Sequence, residues 1–319
     1  MNVMKKNNKK VNCPLCQNSA IHEMSSNDLM FKKNKIYDYY LCKSCDLTFI
    51  NPLPTLNEIK DFYPDSYMVF EPARLKKISI IEKIRLQANH GYKNLINKNN
   101  YLFNLLRLFL LKSNEHIDYV ENGKFLDIGC GNGSRLLKMR NLGWKVKGVE
   151  LNKKAFNECI NHKLNVFNCT LEDTKFEDNF FDVIYMSHLV EHLANPQEIF
   201  EIVNRILKPN GLLYIKTPNR NSLGRKIFSK YWYANDIPRH LFLFSKKSLV
   251  NVFSKLNMNL EFYSQDTTPK IFLNSIDYLF KLSKPSKKNK ILRIISRLYV
   301  LPAKLFKLGD ESFFIFRKN

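Results

Sequence analysis

Three groups of residues in this sequence have the types and spacing to do chemistry. The first is Phe125-Leu-Asp-Ile-Gly-Cys-Gly-Asn-Gly133, followed by Val146-Lys-Gly-Val-Glu150. A short apolar run ends in Gly129, Gly131 and Gly133, an amphipathic run follows, and a second apolar run ends in Glu150. This reads as strand, tight turn, helix, strand. Glycines let backbone approach a ligand where a Cβ would clash, and a helix N-terminus offers free N–H groups. A carboxylate at the tip of the next strand can accept hydrogen bonds from a ribose diol. The second group is Cys13-Pro-Leu-Cys16 and Cys42-Lys-Ser-Cys45, two knuckles with residues 17–41 between them. That spacing fits four thiolates around a tetrahedral zinc ion, and with no open coordination position the metal is structural. The third group is histidines: His188 and His192 around Glu191, and His240 in Asp236-Ile-Pro-Arg-His240. Histidine is the side chain whose ordinary pKa suits proton removal near neutrality. His188 and His192 are four apart and would share a face if helix had begun, but no third metal ligand stands at a useful spacing.

The elements that must position these groups follow from periodicity. From residue 124 the chain predicts strands at 124–129, 145–150, 164–168, 181–187, 211–217, 258–265 and 312–317. Helices are predicted at 133–142, 153–162, 195–207 and 245–256. Such alternation argues an α/β fold, a parallel sheet with helices on both faces and ligands outside the carboxyl ends of its strands. Residues 1–70 form a zinc module, whose alternation between Ile36 and Leu41 suggests hairpin strands carrying the cysteines. A short helix there starts at Thr55 with Glu58 three residues on, a capping-box pair. Residues 71–119 read as a helical bridge and 120–319 as the main domain, with insertions at about 218–244 and 267–309. Asp182 reads as a strand-start residue tying down a loop. Cys130, Cys159 and Cys169 read as small buried apolar residues.

The D-x-G-x-G-x-G pattern from Asp127 to Gly133, in register with Glu150, resembles motif I of the class I S-adenosylmethionine (SAM) methyltransferases. Phe181-Asp-Val and Leu207-Lys-Pro-Asn-Gly211 are also similar to runs of that family. The resemblance implies a Rossmann-like seven-stranded sheet and SAM as cofactor. It implies SAM contacts from Asp127, Gly129, Cys130, Gly131, Gly133, Glu150 and Leu151, adenine contacts from Thr170 and Leu171, and a methyl-donor pocket near Met186 and His188. Glu191 and His192 would hold the pocket wall. The run Cys45-Asp-Leu-Thr-Phe-Ile-Asn-Pro52 resembles the zinc module in front of bacterial sugar and surface-glycan methyltransferases. Those enzymes carry Tyr-His-Glu-His where this chain has Ile237-Pro-Arg-His240, so the last histidine is kept and the tyrosine is not. No Asn-Pro-Pro-Tyr run follows strand four. The resemblance thus implies oxygen, less so carbon, as the methylated atom, with His240 as base and Arg239 available to a phosphate or carboxylate. The expected acceptor is a sugar of a cell-surface polysaccharide pathway, nucleotide- or lipid-linked.

Composition frames these readings. The 51 Lys and Arg against 29 Asp and Glu give a net charge of +22, which favours anionic surroundings. Much of the lysine sits with asparagine in low-complexity runs, so a compositional origin stands equal to a binding surface. An RNA methyltransferase gripping RNA through its zinc module, and a non-catalytic adaptor on an anionic surface, are the alternatives. No stretch reaches the ~20 apolar residues of a membrane span, and the N-terminus lacks a signal-peptide core, so a cytosolic protein is expected. The run Ile291-Leu-Arg-Ile-Ile-Ser-Arg-Leu-Tyr-Val-Leu301 has an apolar face with basic flanks. It reads as a helix covering the acceptor pocket or lying on an anionic membrane. The dense apolar cluster from Leu102 to Leu111 reads as a helix packed over the core as a lid or bridge, with a membrane-surface contact as the alternative.

Overall fold

The computed structural model describes residues 11–64, 78–96, 116–282 and 285–319. Alternating apolar residues from Lys124 onward form one sheet from β5 (Lys124–Ile128), β6 (Lys145–Val149), β7 (Val166–Phe167), β8 (Phe181–Ser187), β9 (Leu207–Pro218), β11 (Met258–Asp266) and β12 (Glu311–Lys318). Their spatial order is β11-β12-β9-β8-β5-β6-β7. Alternation decides which face each side chain takes: in β12, Phe314 and Phe316 enter one core layer while Phe313 and Ile315 enter the other. The first layer is closed by helices α5 (Pro196–Ile206) and α7 (Lys246–Lys255), whose Phe200 and Phe253 rings pack tilted with centroids 4.8 Å apart. The second is closed by α3 (Ser134–Asn141), through buried Leu136 and Leu137. Helix α4 (Lys153–Asn161) follows β6.

The expectation of a wholly parallel sheet is corrected at one strand. β12 runs antiparallel to both β9 and β11, and Asp266 pairs with Glu311. The physical reason lies in residues 267–310, which leave and re-enter the sheet at the same, carboxyl, end. Helices α8 (Pro269–Phe280) and α9 (Lys290–Leu305) pack on each other there, burying Phe272, Tyr299 and Ala303 with Trp232. A chain that returns where it left must run back down the sheet. The turn expected before strand five is present inside β9. Phe181 pairs with Leu207 and Val183 with Leu212, so three extra residues bulge out, Asn210 taking φ +61°. Strand β7 is shorter than predicted, with two residues.

The N-terminal residues make a second sheet, β1 (Val11–Asn12), β2 (Ser19–Asp28), β3 (Lys33–Cys42) and β4 (Leu47–Ile50), each antiparallel to the next. Its fifth strand comes from much later in the chain. β10 (Phe242–Leu243) pairs with β4, Phe242 opposite Phe49. The segment taken as an acceptor-side insertion of the main domain therefore completes the sheet of the N-terminal module. Helix α1 (Leu56–Asp61) carries the capping box expected of Thr55 and Glu58. Of the helical bridge, α2 (Ile80–Asn89) is described; residues 97–115, with the apolar cluster, lie outside the described residues. Helix α6 (Leu223–Phe228) follows β9. Among the described residues no helix is long and apolar enough to cross a membrane.

Candidate active site

The crevice between the carboxyl ends of β5 and β8 is where the chain order reverses, with β6 on one side of β5 and β8 on the other. Residues 129–133 line it. Gly131 takes φ +54°, and a Cβ built there meets nothing within 4 Å, so its missing side chain leaves the space open to a ligand. Gly133, at φ +76°, has the opposite reason: a Cβ would sit 2.5 Å from Leu164 and 2.9 Å from Cys159 Sγ, so glycine lets α3 start close against its neighbours. Gly129 also has a positive φ.

Glu150 closes the far side. Its Oε2 accepts from the Gly131 N–H at 2.7 Å and Oε1 from the Asn152 N–H at 2.8 Å. Burial raises its pKa above the usual carboxylate range, and those backbone donors act against the rise. Asn168 donates to the Glu150 and Leu151 carbonyls at 2.7 and 3.0 Å, fastening the loop after β7 to the end of β6. Leu151 is exposed at the mouth, Leu171 is buried, and Thr170 donates to Asp173 at 2.8 Å. Asp127 lies buried beneath, 3.8 Å from Arg135 Nε, and burial pushes its pKa to about 7 against the pull of Arg135. Asp182 accepts from the Lys124 N–H at 2.8 Å and pairs with Lys208. Cys130 and Cys159 are buried; Cys169 is half-buried, because its loop lies at the sheet's edge.

Beside Ile128, the neighbouring β8 contributes buried Met186, then His188 in the left-handed region at φ +51°. His188 Nε2 lies 3.1 Å from Glu311 and Nδ1 3.5 Å from Glu191. Partial desolvation works against its charge, but the two carboxylates outweigh it and push its pKa to about 9. A raised folded-state pKa contributes stability that is complete below the ordinary imidazole value of about 6.5 and is lost as pH rises through about 9. His188→Gln is expected to flatten the pH dependence of the denaturation midpoint across that window. An unchanged slope would count against the charged His188.

The chain after His188 turns into a 3-10 segment rather than an α-helix, so His188 and His192 do not share a helical face. His192 pairs instead with His240, their rings 4.6 Å apart. Glu191 is fully buried between them and His188. Its Oε2 accepts from Thr217 at 3.0 Å, and its Oε1 lies 4.0 Å from His240 Nε2. Burial opposes its charge, but the cationic His188, 3.5 Å away, leads the groups that outweigh it and hold its pKa at about 2. His192 Nδ1 donates to the Arg239 carbonyl at 3.0 Å and lies 2.9 Å from Tyr63 Oη. Burial and the neighbouring His240 lower its pKa to about 4, keeping it neutral. His240 Nδ1 donates to the Ala234 carbonyl at 2.9 Å, which fixes the tautomer and leaves Nε2 as acceptor, 4.0 Å from both Glu191 and Asp236. Ligand-type atoms of Glu191, His192 and His240 lie within 4.8 Å of one another.

Arg239 does not serve an acceptor. Its guanidinium is buried between Asp28, at 2.9 and 3.2 Å, and Asp236, at 2.7 and 2.8 Å. Tyr39 donates to the His240 carbonyl at 2.9 Å. Thus the N-terminal module grips both residues of the Arg239-His240 pair, from more than 200 positions away for each contact. No sequence signal marks Asp28, Tyr39 or Glu311, because their partners are fixed only by the tertiary fold.

The four knuckle cysteines converge: Cys13 and Cys45 Sγ lie 3.6 Å apart, Cys16 and Cys42 3.4 Å, all four within 4.8 Å of one another. Those separations are too long for a disulfide and suit thiolates about 2.3 Å from one central zinc ion. The knuckles repeat one geometry. Gln17 and Asp46, each after its second cysteine, take positive φ and donate back to the carbonyls of Cys13 and Cys42 at 2.9 and 2.8 Å.

The family described as a methyltransferase domain matches residues 97–261. A ubiquinone biosynthesis O-methyltransferase of Paraburkholderia phymatum is 29% identical over 158 residues, 47% of this chain and 65% of its own length. The mitochondrial one of Rattus norvegicus is 31% identical over 110 residues, 31% and 32% of the two chains. A sterol 4-C-methyltransferase of Caenorhabditis elegans is 30% identical over 105 residues, 30% and 31%. The matches thus span from about a third to just under two thirds of these relatives' lengths. A solved SAM-dependent methyltransferase from Archaeoglobus fulgidus superposes with TM-score 0.44 at 22% identity, over 61% of this chain and 86% of that one.

Proposed function

The chain belongs to the methyltransferase-domain family, and on that premise we propose that it transfers a methyl group from SAM to an oxygen of its acceptor. The observation that carries the reading is the pairing of a nucleoside-type cradle with a tautomer-fixed histidine at the same sheet end. The residues fit the cofactor. Open space at Gly131 admits the adenosyl portion, and the Glu150 oxygens keep lone pairs for its ribose diol. Bound SAM supplies an already activated methyl sulfonium. The chain then has to align the acceptor and take its proton. His240 Nε2 receives the proton, and the Glu191 carboxylate, held ionised at 4.0 Å, stabilises the resulting imidazolium. Thr217 keeps Glu191 in place.

The acceptor we assign is a hydroxyl on a lipid-linked molecule, a glycan-bearing one by the likeness of the N-terminal module. Support for the lipid comes from relatives named for ubiquinone biosynthesis and sterol methylation. Zinc on Cys13, Cys16, Cys42 and Cys45 holds the N-terminal module together, and through Tyr39 and Asp28 that module positions the base. Calorimetric titration with S-adenosylhomocysteine tests the cofactor. Wild-type protein and His240→Ala are expected to bind alike, and Gly131→Arg to lose binding. Labelled methyl transfer from SAM, screened over lipid extracts and nucleotide sugars, is expected to proceed with wild-type protein and fail with His240→Ala. A folded wild-type protein that binds no S-adenosylhomocysteine would falsify the reading and favour an adaptor.

A further inference from the structure

Helix α9 presents a face that none of the described residues covers. Its inward side is set by Ser296, Tyr299 and Ala303, all buried. On the opposite side Ile294, Leu298, Leu301 and Leu305 are 58, 59, 66 and 77% exposed, recurring at helical spacing. Lys290, Arg293 and Arg297 are exposed along one edge of that stripe. The adjoining end of α8 adds exposed Phe280. Charge is one-sided here to a degree the whole chain is not. Residues 278–309 contain nine Lys and Arg and no Asp or Glu.

A stripe of exposed aliphatic side chains calls for an apolar partner, and a flanking cationic edge calls for an anionic one. A second copy of this chain offers the first but not the second, since a two-fold pairing would set like charges against each other. A bilayer with anionic headgroups offers both. We propose that α9 lies flat on an anionic membrane surface, its aliphatic stripe sunk to the level of the upper acyl chains and its basic edge against the headgroups. The inference stands apart from the identity of the acceptor. Its consequence for the site is positional. The segment carrying α9 leaves and rejoins the sheet at the Asp266–Glu311 pair, and Glu311 touches His188. Docking through α9 therefore sets the carboxyl end of the sheet towards the lipid.

The test is co-sedimentation of the full chain with vesicles of phosphatidylcholine alone and of phosphatidylcholine mixed with phosphatidylglycerol. The variants are Ile294→Ser/Leu298→Ser and Arg293→Glu/Arg297→Glu, all four positions being exposed, with circular dichroism and thermal midpoint as controls on folding. Expected is binding to the mixed vesicles only, weakened by salt and reduced about tenfold or more in either variant. Three results would overturn the proposal: wild-type protein left in the supernatant, both variants binding as wild type does, or a lipid-free self-association that the serine variant abolishes.

Discussion

If the proposed zinc sits on Cys13, Cys16, Cys42 and Cys45, chelating it is expected to unfold the five-stranded sheet and loosen His240, while leaving the cofactor cradle intact. The sheet is small, and its buried apolar residues outside the cysteines are chiefly Tyr39, Leu47, Phe49, Ile50, Phe242 and Leu243. Structures of that size usually need a staple. Structural zinc contributes about 10–16 kcal/mol in zinc-finger peptides, while whole domains are stable by only about 5–15 kcal/mol. The loss of even part of it therefore decides whether the sheet persists. Because Tyr39 holds the His240 carbonyl and β10 continues from His240, the disturbance reaches the base directly. Gly131 and Glu150 belong to the other sheet and should be spared. Hydrogen exchange with and without chelator reads both parts. Fast exchange at Tyr39, Phe49 and Phe242, beside protected amides in β5 and β6, is the expected pattern. Protection that survives full metal removal would mean that packing alone holds the module.

Replacing Asp28 with asparagine is expected to cost about 3–5 kcal/mol, the range for removing one partner of a buried ion pair. Arg239 and Asp28 are each 1% exposed. Burial alone would weaken the guanidinium's charge, but the hydrogen bonds it donates to Asp28 and Asp236 outweigh it and strengthen its hold on the proton. With Asp28 neutral, Asp236 must serve both Arg239 and the His240 side chain, which lies 4.0 Å away. Denaturant unfolding of Asp28→Asn measures the loss. The triple variant Asp28→Leu/Arg239→Met/Asp236→Asn, which leaves no charge of the buried Asp28–Arg239–Asp236 triad unpaired, is expected to recover much of the stability. A loss below about 1 kcal/mol in Asp28→Asn would place the pair among weak surface bridges.

What the sequence disclosed and what it hid divide along contact distance. The Asp127–Gly133 run, Glu150, the cysteine knuckles and the Thr55 cap are local patterns, and each element they predict is present within a few residues. Strand direction was hidden, because the reversal of β12 depends on where α8 and α9 pack, not on the apolar alternation of 312–317. The role of Arg239 was hidden for a similar reason. A basic residue beside a candidate base looks available to an anionic acceptor until Asp28, 211 positions earlier, is seen to occupy it. His188 and His192 matched a helical spacing, but the left-handed conformation at His188 broke it.

The seam between β4 and β10 also fixes an order of assembly. Phe49 must wait for Phe242, and at ribosomal rates of about 5–20 residues per second the delay is about 10–40 s. Until then β4 presents an unpaired edge carrying Leu47 and Phe49, the kind of edge that recruits other strands. The nascent chain can finish its cysteine cluster early, but not its sheet. The strand that finally covers the edge begins two residues after His240. Closing the vulnerable edge and delivering the proton acceptor are thus one event, so a half-made chain has neither.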